Sequence, residues 1–255
     1  LTVQMLFYED AVPVQGARHA ECFVEMRGYG FCRGVNSVPL TAVEFRSAAG
    51  EYPIVFVQSG ASLWPAVVLG LRREENLMVT EQGEWLGRYI PAFVRRYPFV
   101  FSAAAGDRQM VLCVDEAFPG FNRQGRGEPL FTPAREPSPY VGRVLRFLQE
   151  YRAQFARTRA FCERLQQLEL LEPMQARFTV GTMPLSLGGF LAVGRQRLKA
   201  LPGDALASLA AQDELELLYL HLHSLRNFES LHHRLPFAAA EALPAAEAEK
   251  RVTVH

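Results

Sequence analysis

Hydrophobic positions in the first 135 residues fall in short runs broken by Pro, Gly and Asn, whereas later ones recur at helical steps. The stretches EYPIVFVQSG (51–60) and LWPAVVLGL (63–71) are rich in Val, Ile, Phe and Leu at strand length. NLMVTEQGEWLGRY (76–89) reads as two strands around a Gln82-Gly83 turn. YPFVFSAAAGDRQMVLCVDE (97–116) reads as a hairpin, with small residues and Gly106-Asp107 between two β-rich arms. Strands connected this closely predict an antiparallel, strongly twisted sheet.

Ser138-Pro139 then opens a helix, with Ser as N-cap and Pro at the first helical position. Val141, Val144, Leu145, Leu148, Tyr151, Phe155, Cys162, Leu165 and Leu168 follow at three- and four-residue steps, and the helix is expected to run to about Leu170, before Pro173. Arg143, Arg146, Arg157 and Arg164 fall on its other side and read as a solvated face. A hairpin is expected from Ala176–Val180 to Gly189–Val193, then a helical turn at RQRLKALP. Asp204 and Asp213 open two further helices, the second apolar enough to be buried on several sides. The predicted fold is α+β: a twisted, mainly antiparallel β-rich N-terminal half (1–135) packed against a helical C-terminal half (136–236) with a short hairpin at about 176–193. The Ala/Glu-rich tail (237–255) is expected to be mobile, the rest one integrated unit.

Twenty-seven basic residues balance 27 acidic ones, which argues against a general polyanion binder. RYIPAFVRRYPFVF (88–101) packs arginines among aromatics, yet a Phe99–Phe101 strand places most of its rings in a core, so no nucleic-acid partner is expected. Pro91 and Pro98 bar a long helix there, and Arg95 and Arg96, just before a proline-entered strand, are placed to meet a carboxylate. Cys22, Cys32, Cys113 and Cys162 form no C-x-x-C pair and read as buried free thiols in a reducing compartment. LTVQMLFYED lacks the pattern of a signal peptide, and no apolar run is long enough to span a bilayer; Leu1 in place of Met points to an alternative start or a trimmed end. The expected location is cytoplasmic.

Candidate chemistry is sparse. EAFPGFNRQGRGEPLFTPAREP (116–137) is a long Gly/Pro-rich connection in which Gly120, Gly125 and Gly127, with Arg123 and Arg126, could cradle an anion, although its spacing is not that of a P-loop. Asp115, Glu116 and Glu128 could act as acid and base, or pair with those arginines, the reading favoured here. His19-Ala-Glu21 has the H-x-[DE] form of a non-haem iron facial triad, which needs a second, distant histidine, and is a weak pattern. His221 and His223 lie about 200° apart around a helix and cannot share an ion; His221 reads as a hydrogen-bonded core histidine. Neither QSGAS nor PLSLGG reproduces G-x-S-x-G. No catalytic constellation, metal or cofactor follows from these residues.

Taken in order, RGVNSVPLTAVEF (33–45), EYPIVF (51–56), RYIPAFVRRYPFVF (88–101), CVDE (113–116), GRGEPLF (125–131), FLQEY (147–151), LLEP (170–173), GGFLAVGRQRLKALP (188–202) and DELELLYLHLHSLRNFESL (213–231) resemble the bacterial SapC family. Pro129 stands where that family usually has a basic residue, and Gly194 where an acidic one is common, which weakens a fixed charge contact at either position. The family is named after a gene linked to a paracrystalline surface layer. The resemblance implies gene neighbourhoods of nutrient uptake, with TonB-dependent receptors, flavin-dependent halogenases and cupin-type oxygenases. That context implies an accessory role; with no catalytic constellation and a Gly/Arg loop at the junction of the two halves, the chain reads as a non-catalytic protein that binds a peptide or protein partner, with Arg95, Arg96, Arg123, Arg126 and Glu128 as charge contacts. The alternatives are an enzyme, iron-dependent through His19 and Glu21 or acid–base through Asp115, Glu116 and Glu128, and a surface-layer component.

Overall fold

The computed structural model describes residues 6–60, 62–103, 110–235 and 250–251. Along the chain come β1 (Ala11–Pro13), α1 (Gly16–His19), β2 (Phe23–Val24), β3 (Ser37–Pro39), α2 (Phe45–Ala48), β4 (Ile54–Ser59) and β5 (Ser62–Val68). Next are α3 (Ala92–Arg95), β6 (Phe99–Ala103), β7 (Met110–Asp115), β8 (Phe121–Asn122), β9 (Glu128–Pro129) and the long α4 (Pro139–Gln167). Last are β10 (Leu171–Val180), β11 (Met183–Val193), α5 (Arg195–Lys199), α6 (Gly203–Ala211), α7 (Glu214–Ser224), α8 (Asn227–His232) and β12 (Lys250–Arg251). The fold is α+β, with antiparallel strands dominating the first half and helices the second. Among the described residues no helix is long and apolar enough to cross a membrane.

The chain divides into two compact units, each made of two separated stretches. The first takes the described residues up to Tyr29 together with Phe93–Ala153; the second takes Gly30–Ala92 and the described residues from Gln154 onward. The composition change near 136 thus falls inside the first unit's second stretch, and α4 contributes residues to both units.

In the first unit, β1, β7 and β6 form one antiparallel sheet, and β8, β2 and β9 a second. The arms expected at 97–116 pair from Phe99 opposite Val114 to Ala103 opposite Met110; their turn lies outside the described residues. Phe7, Tyr8, Phe93, Tyr97 and Phe118 meet edge to face, with ring centroids 5.1–6.0 Å apart, the arrangement that ring quadrupoles favour. The rings of RYIPAFVRRYPFVF are therefore largely inside: Phe93, Tyr97 and Phe99 are all buried.

The second unit is built on a sheet in the order β10-β11-β4-β5-β3, with β12 beside β11. Ile54–Val57 of β4 are buried without alternation, as in a strand covered on both faces. Phe56 meets Phe161 of α4 and His221 of α7, and Trp64 stacks on Phe155 at 4.1 Å.

Three local expectations differ from the structure. The region 76–89 forms only an isolated bridge, Val79 opposite Trp85, with the Trp85 indole donating to Tyr52 OH and to the Tyr89 carbonyl. The hairpin begins at Leu171 and includes Pro173, because β10 is an edge strand, where a missing N–H costs little, and α4 already stops at Gln167, two residues before Glu169 at φ 51°. The helix expected from Asp213 is two helices, α7 and α8, broken where Ser224 Oγ donates to the His221 carbonyl and accepts from Ile54 N–H. Of the Ala/Glu-rich tail, only Lys250–Arg251 falls within the described residues.

Candidate functional site

Asp115 ends β7 fully buried, and its two oxygens accept four hydrogen bonds. Oδ2 takes Glu9 N–H (3.0 Å) and Tyr97 OH (3.1 Å); Oδ1 takes Asp10 N–H and Ala117 N–H (3.0 Å each). Burial and the Asp115 carboxylate push the Tyr97 phenol up, so it stays a donor. Both Asp115 oxygens are thus engaged in tying β7 to the segment before β1 and to the 96–98 turn.

Glu116 binds Arg18 through Nε and Nη2 and accepts from His19 Nε2 at 2.9 Å. The Arg18 bonds hold its carboxyl below the usual range, with His19 adding to them against a smaller cost of burial. His19 is fully buried, with Nδ1 facing Gln15 N–H at 3.0 Å and the Gln15 carbonyl at 3.2 Å, and Nε2 facing Glu116. Glu21 is exposed and lies elsewhere, beside a separate cavity. Among the described residues no group of three or more His, Cys, Asp or Glu is placed to hold a metal ion.

The glycine-rich loop closes on Asn122. Its Nδ2 donates to the carbonyls of Gly120 (3.0 Å) and Arg126 (2.9 Å), and its Oδ1 accepts from Gln124 N–H (3.1 Å) and Arg126 N–H (3.2 Å). Those two amides, which could have faced an anion, face Asn122. Gly120 is required by close approach, since a Cβ there would lie 1.9 Å from the Glu25 carbonyl oxygen. Arg123 donates to the Arg18 carbonyl at 3.1 Å, and Arg126 pairs with Glu25 at 3.3 Å. Asn122→Ala is expected to cost about 2 kcal/mol, two amides and two carbonyls losing their partner at a buried site. Urea unfolding measures that loss, and tryptic cleavage after Arg123 and Arg126 should rise about tenfold; unchanged cleavage would show that Asn122 does not hold the loop.

A cavity of about 320 Å³ in the first unit gathers Arg95 and Arg96 with Arg143 of α4. Arg96, 9% exposed, lies 4.0 Å over the Phe93 ring and 5.8 Å over the Tyr8 ring. Arg95 sits 5.2 Å over Phe147, and Arg143 5.7 Å over Tyr140. Arg143 also pairs with Glu128 at 3.0 Å. Burial, then Glu128, raises the Tyr140 phenol to about 12, so it lines the cavity as a neutral ring. Phe99, Val144 and Phe147 supply apolar wall.

Of the five contacts expected from the sequence, Arg95 and Arg96 share this cavity, and Glu128 reaches it through Arg143. Arg123 lines a different cavity of about 650 Å³, beside Glu21, Phe23 and Phe131, whose charges balance. Arg126 pairs with Glu25. The residue that sequence reasoning missed is Arg143, placed on a solvated helix face. Its signal was its spacing three residues after Tyr140, which sets both on one side of α4.

The sequence model of the SapC family matches residues 15–231, most of the chain and the span carrying every residue of this cavity. No curated protein and no solved structure matches the chain.

Proposed function

This chain belongs to the SapC family, and on that premise we propose that it is a non-catalytic binding protein for a peptide or protein partner, held at the arginine–aromatic cavity. One observation carries the reading: three guanidiniums line a cavity with aromatic walls, and one of them, Arg143, pairs with Glu128. Such a lining supplies apolar contact for a body and charge for an anionic group. The acid–base alternative draws no support from Asp115 or Glu116, whose oxygens are committed to backbone amides, Tyr97, Arg18 and His19. In the proposed setting, the partner comes from a nutrient-uptake or halogenase- and oxygenase-associated locus, and the protein acts in the cytoplasm.

The test is a pull-down from native lysate with tagged protein and with its Arg95→Gln/Arg143→Gln variant, read by mass spectrometry. A companion recovered near equal ratio with the wild-type chain, and at least tenfold depleted with the variant, is the expected result. A companion held equally by both would move the site away from this cavity. Recovery of none by either would remove the protein-partner reading.

A further inference from the structure

We infer that the cavity of about 650 Å³ beside Arg123 holds a small zwitterion, an ammonium and a carboxylate on an apolar body, with Arg123 receiving the carboxylate and Glu21 the ammonium. This cavity shares no lining residue with the arginine–aromatic one, so the two sites are independent. Carboxylates on the neighbouring segments are already taken: Glu116 holds Arg18 and His19, and Glu25 holds Arg27 and Arg126. Glu21 and Arg123 differ. Among the described residues neither forms an ion pair, with the other or with a third group.

Arg123 is nevertheless tied to the segment that carries Glu21. Its Nη2 donates to the Arg18 carbonyl at 3.1 Å, three residues before Glu21, and both side chains act on the Cys22 thiol, in opposite senses. Two opposite charges that line one cavity without pairing select an occupant that carries both. A plain anion would be repelled by Glu21 and a plain cation by Arg123. The remaining wall selects the body. Phe23 and Phe131 present rings, and Pro129, Pro133 and Pro139 have a fixed φ and no N–H to offer, so that wall is apolar and preformed. The volume falls in the range of about 300–1,000 Å³ usual for small-molecule sites. A free apolar amino acid and a dipeptide of apolar residues both have this chemistry.

Isothermal titration calorimetry of the full chain with L-phenylalanine and with leucyl-phenylalanine, each also as its N-acetyl derivative and as its C-terminal amide, tests this. At least one of the two zwitterions is expected to bind, about tenfold more tightly than either of its blocked forms. Tighter binding of phenylalanine identifies a free amino acid as the ligand, and tighter binding of the dipeptide a short peptide. The variants read which charge does what. Arg123→Gln should no longer distinguish the zwitterion from its amide while still rejecting the N-acetyl form, and Glu21→Gln should do the reverse. A merely structural role would weaken all probes alike. Both side chains are exposed, so neither variant threatens folding. Arg95→Gln, in the other cavity, should bind as the wild-type chain does. Blocked forms bound as tightly as the zwitterions, unchanged discrimination in either variant, a loss shared by Arg95→Gln, or no binding of any probe would each overturn the inference.

Discussion

Asp115→Ala is expected to destabilise the protein by about 4 kcal/mol. The carboxylate is fully buried and takes three backbone amides and one phenol, at 3.0–3.1 Å. Removing it strands four donors where water does not reach, and each orphaned donor costs about 1–3 kcal/mol before relaxation returns part of it. Asp115→Asn does not rescue: an amide NH₂ would point a donor at one pair of donors while its oxygen served the other. Urea unfolding followed by far-UV circular dichroism measures the loss, and a cost below about 1 kcal/mol would refute this account of the turn. The effect should reach the cavity as well. Tyr97 is held by Asp115 and follows Arg96 directly, so the variant should also weaken the partner binding proposed for this cavity.

Acid is expected to unfold the protein partly through His221. This ring is inserted between two strands. Continuing the antiparallel register from Leu191 opposite Phe56 sets Val193 opposite Ile54. The imidazole stands between their main chains, donating from Nδ1 to the Ile54 carbonyl (2.9 Å) and accepting at Nε2 from Val193 N–H (3.0 Å). Only the neutral ring can do both, because the charged ring has no acceptor. Burial lowers its pKa from the ordinary 6.5 to about 4, against a smaller opposing effect of the Ile54 hydrogen bond. Between those values the unfolded chain takes a proton and the folded chain does not. Stability from this group is therefore full above about pH 6.5 and is lost as pH falls towards 4, by about 3 kcal/mol in total. His221→Leu should be less stable at pH 7, with the Ile54 carbonyl and Val193 N–H unpaired, and should lose about 3 kcal/mol less than wild type between pH 7 and 4. Parallel pH profiles for the two proteins would exclude His221 as the source.

The role of His221 as a hydrogen-bonded core histidine was legible from its place in an apolar helical run; the strands it joins were not. β4 and β5 appear where Val, Ile and Phe cluster, and Ser138-Pro139 starts α4, with Val141 N–H bonded to Ser138 Oγ at 3.3 Å. The four cysteines are buried and free, as their spacing implied. The candidate site was legible only in pieces. Arg95 and Arg96 were picked out, but Arg143 was set aside as surface charge, and Arg123 and Arg126 were grouped with them by nearness to glycine.

Patterns that depend on neighbours within a turn or a strand are written locally: hydrophobic periodicity, a cap, a proline that stops a helix. The sequence by itself therefore determined the α+β class, the principal strands and the long helix, and its ordered motifs carried the family. Tertiary structure alone decided which distant groups meet: Tyr8 with the Phe99 carbonyl across 91 positions, Glu9 with Asp115 across 106, and Arg143 with Arg95 and Arg96 around one cavity. The reason is physical. A buried donor or charge constrains only that some partner be found, and the chain's path through the two interleaved units chooses which one.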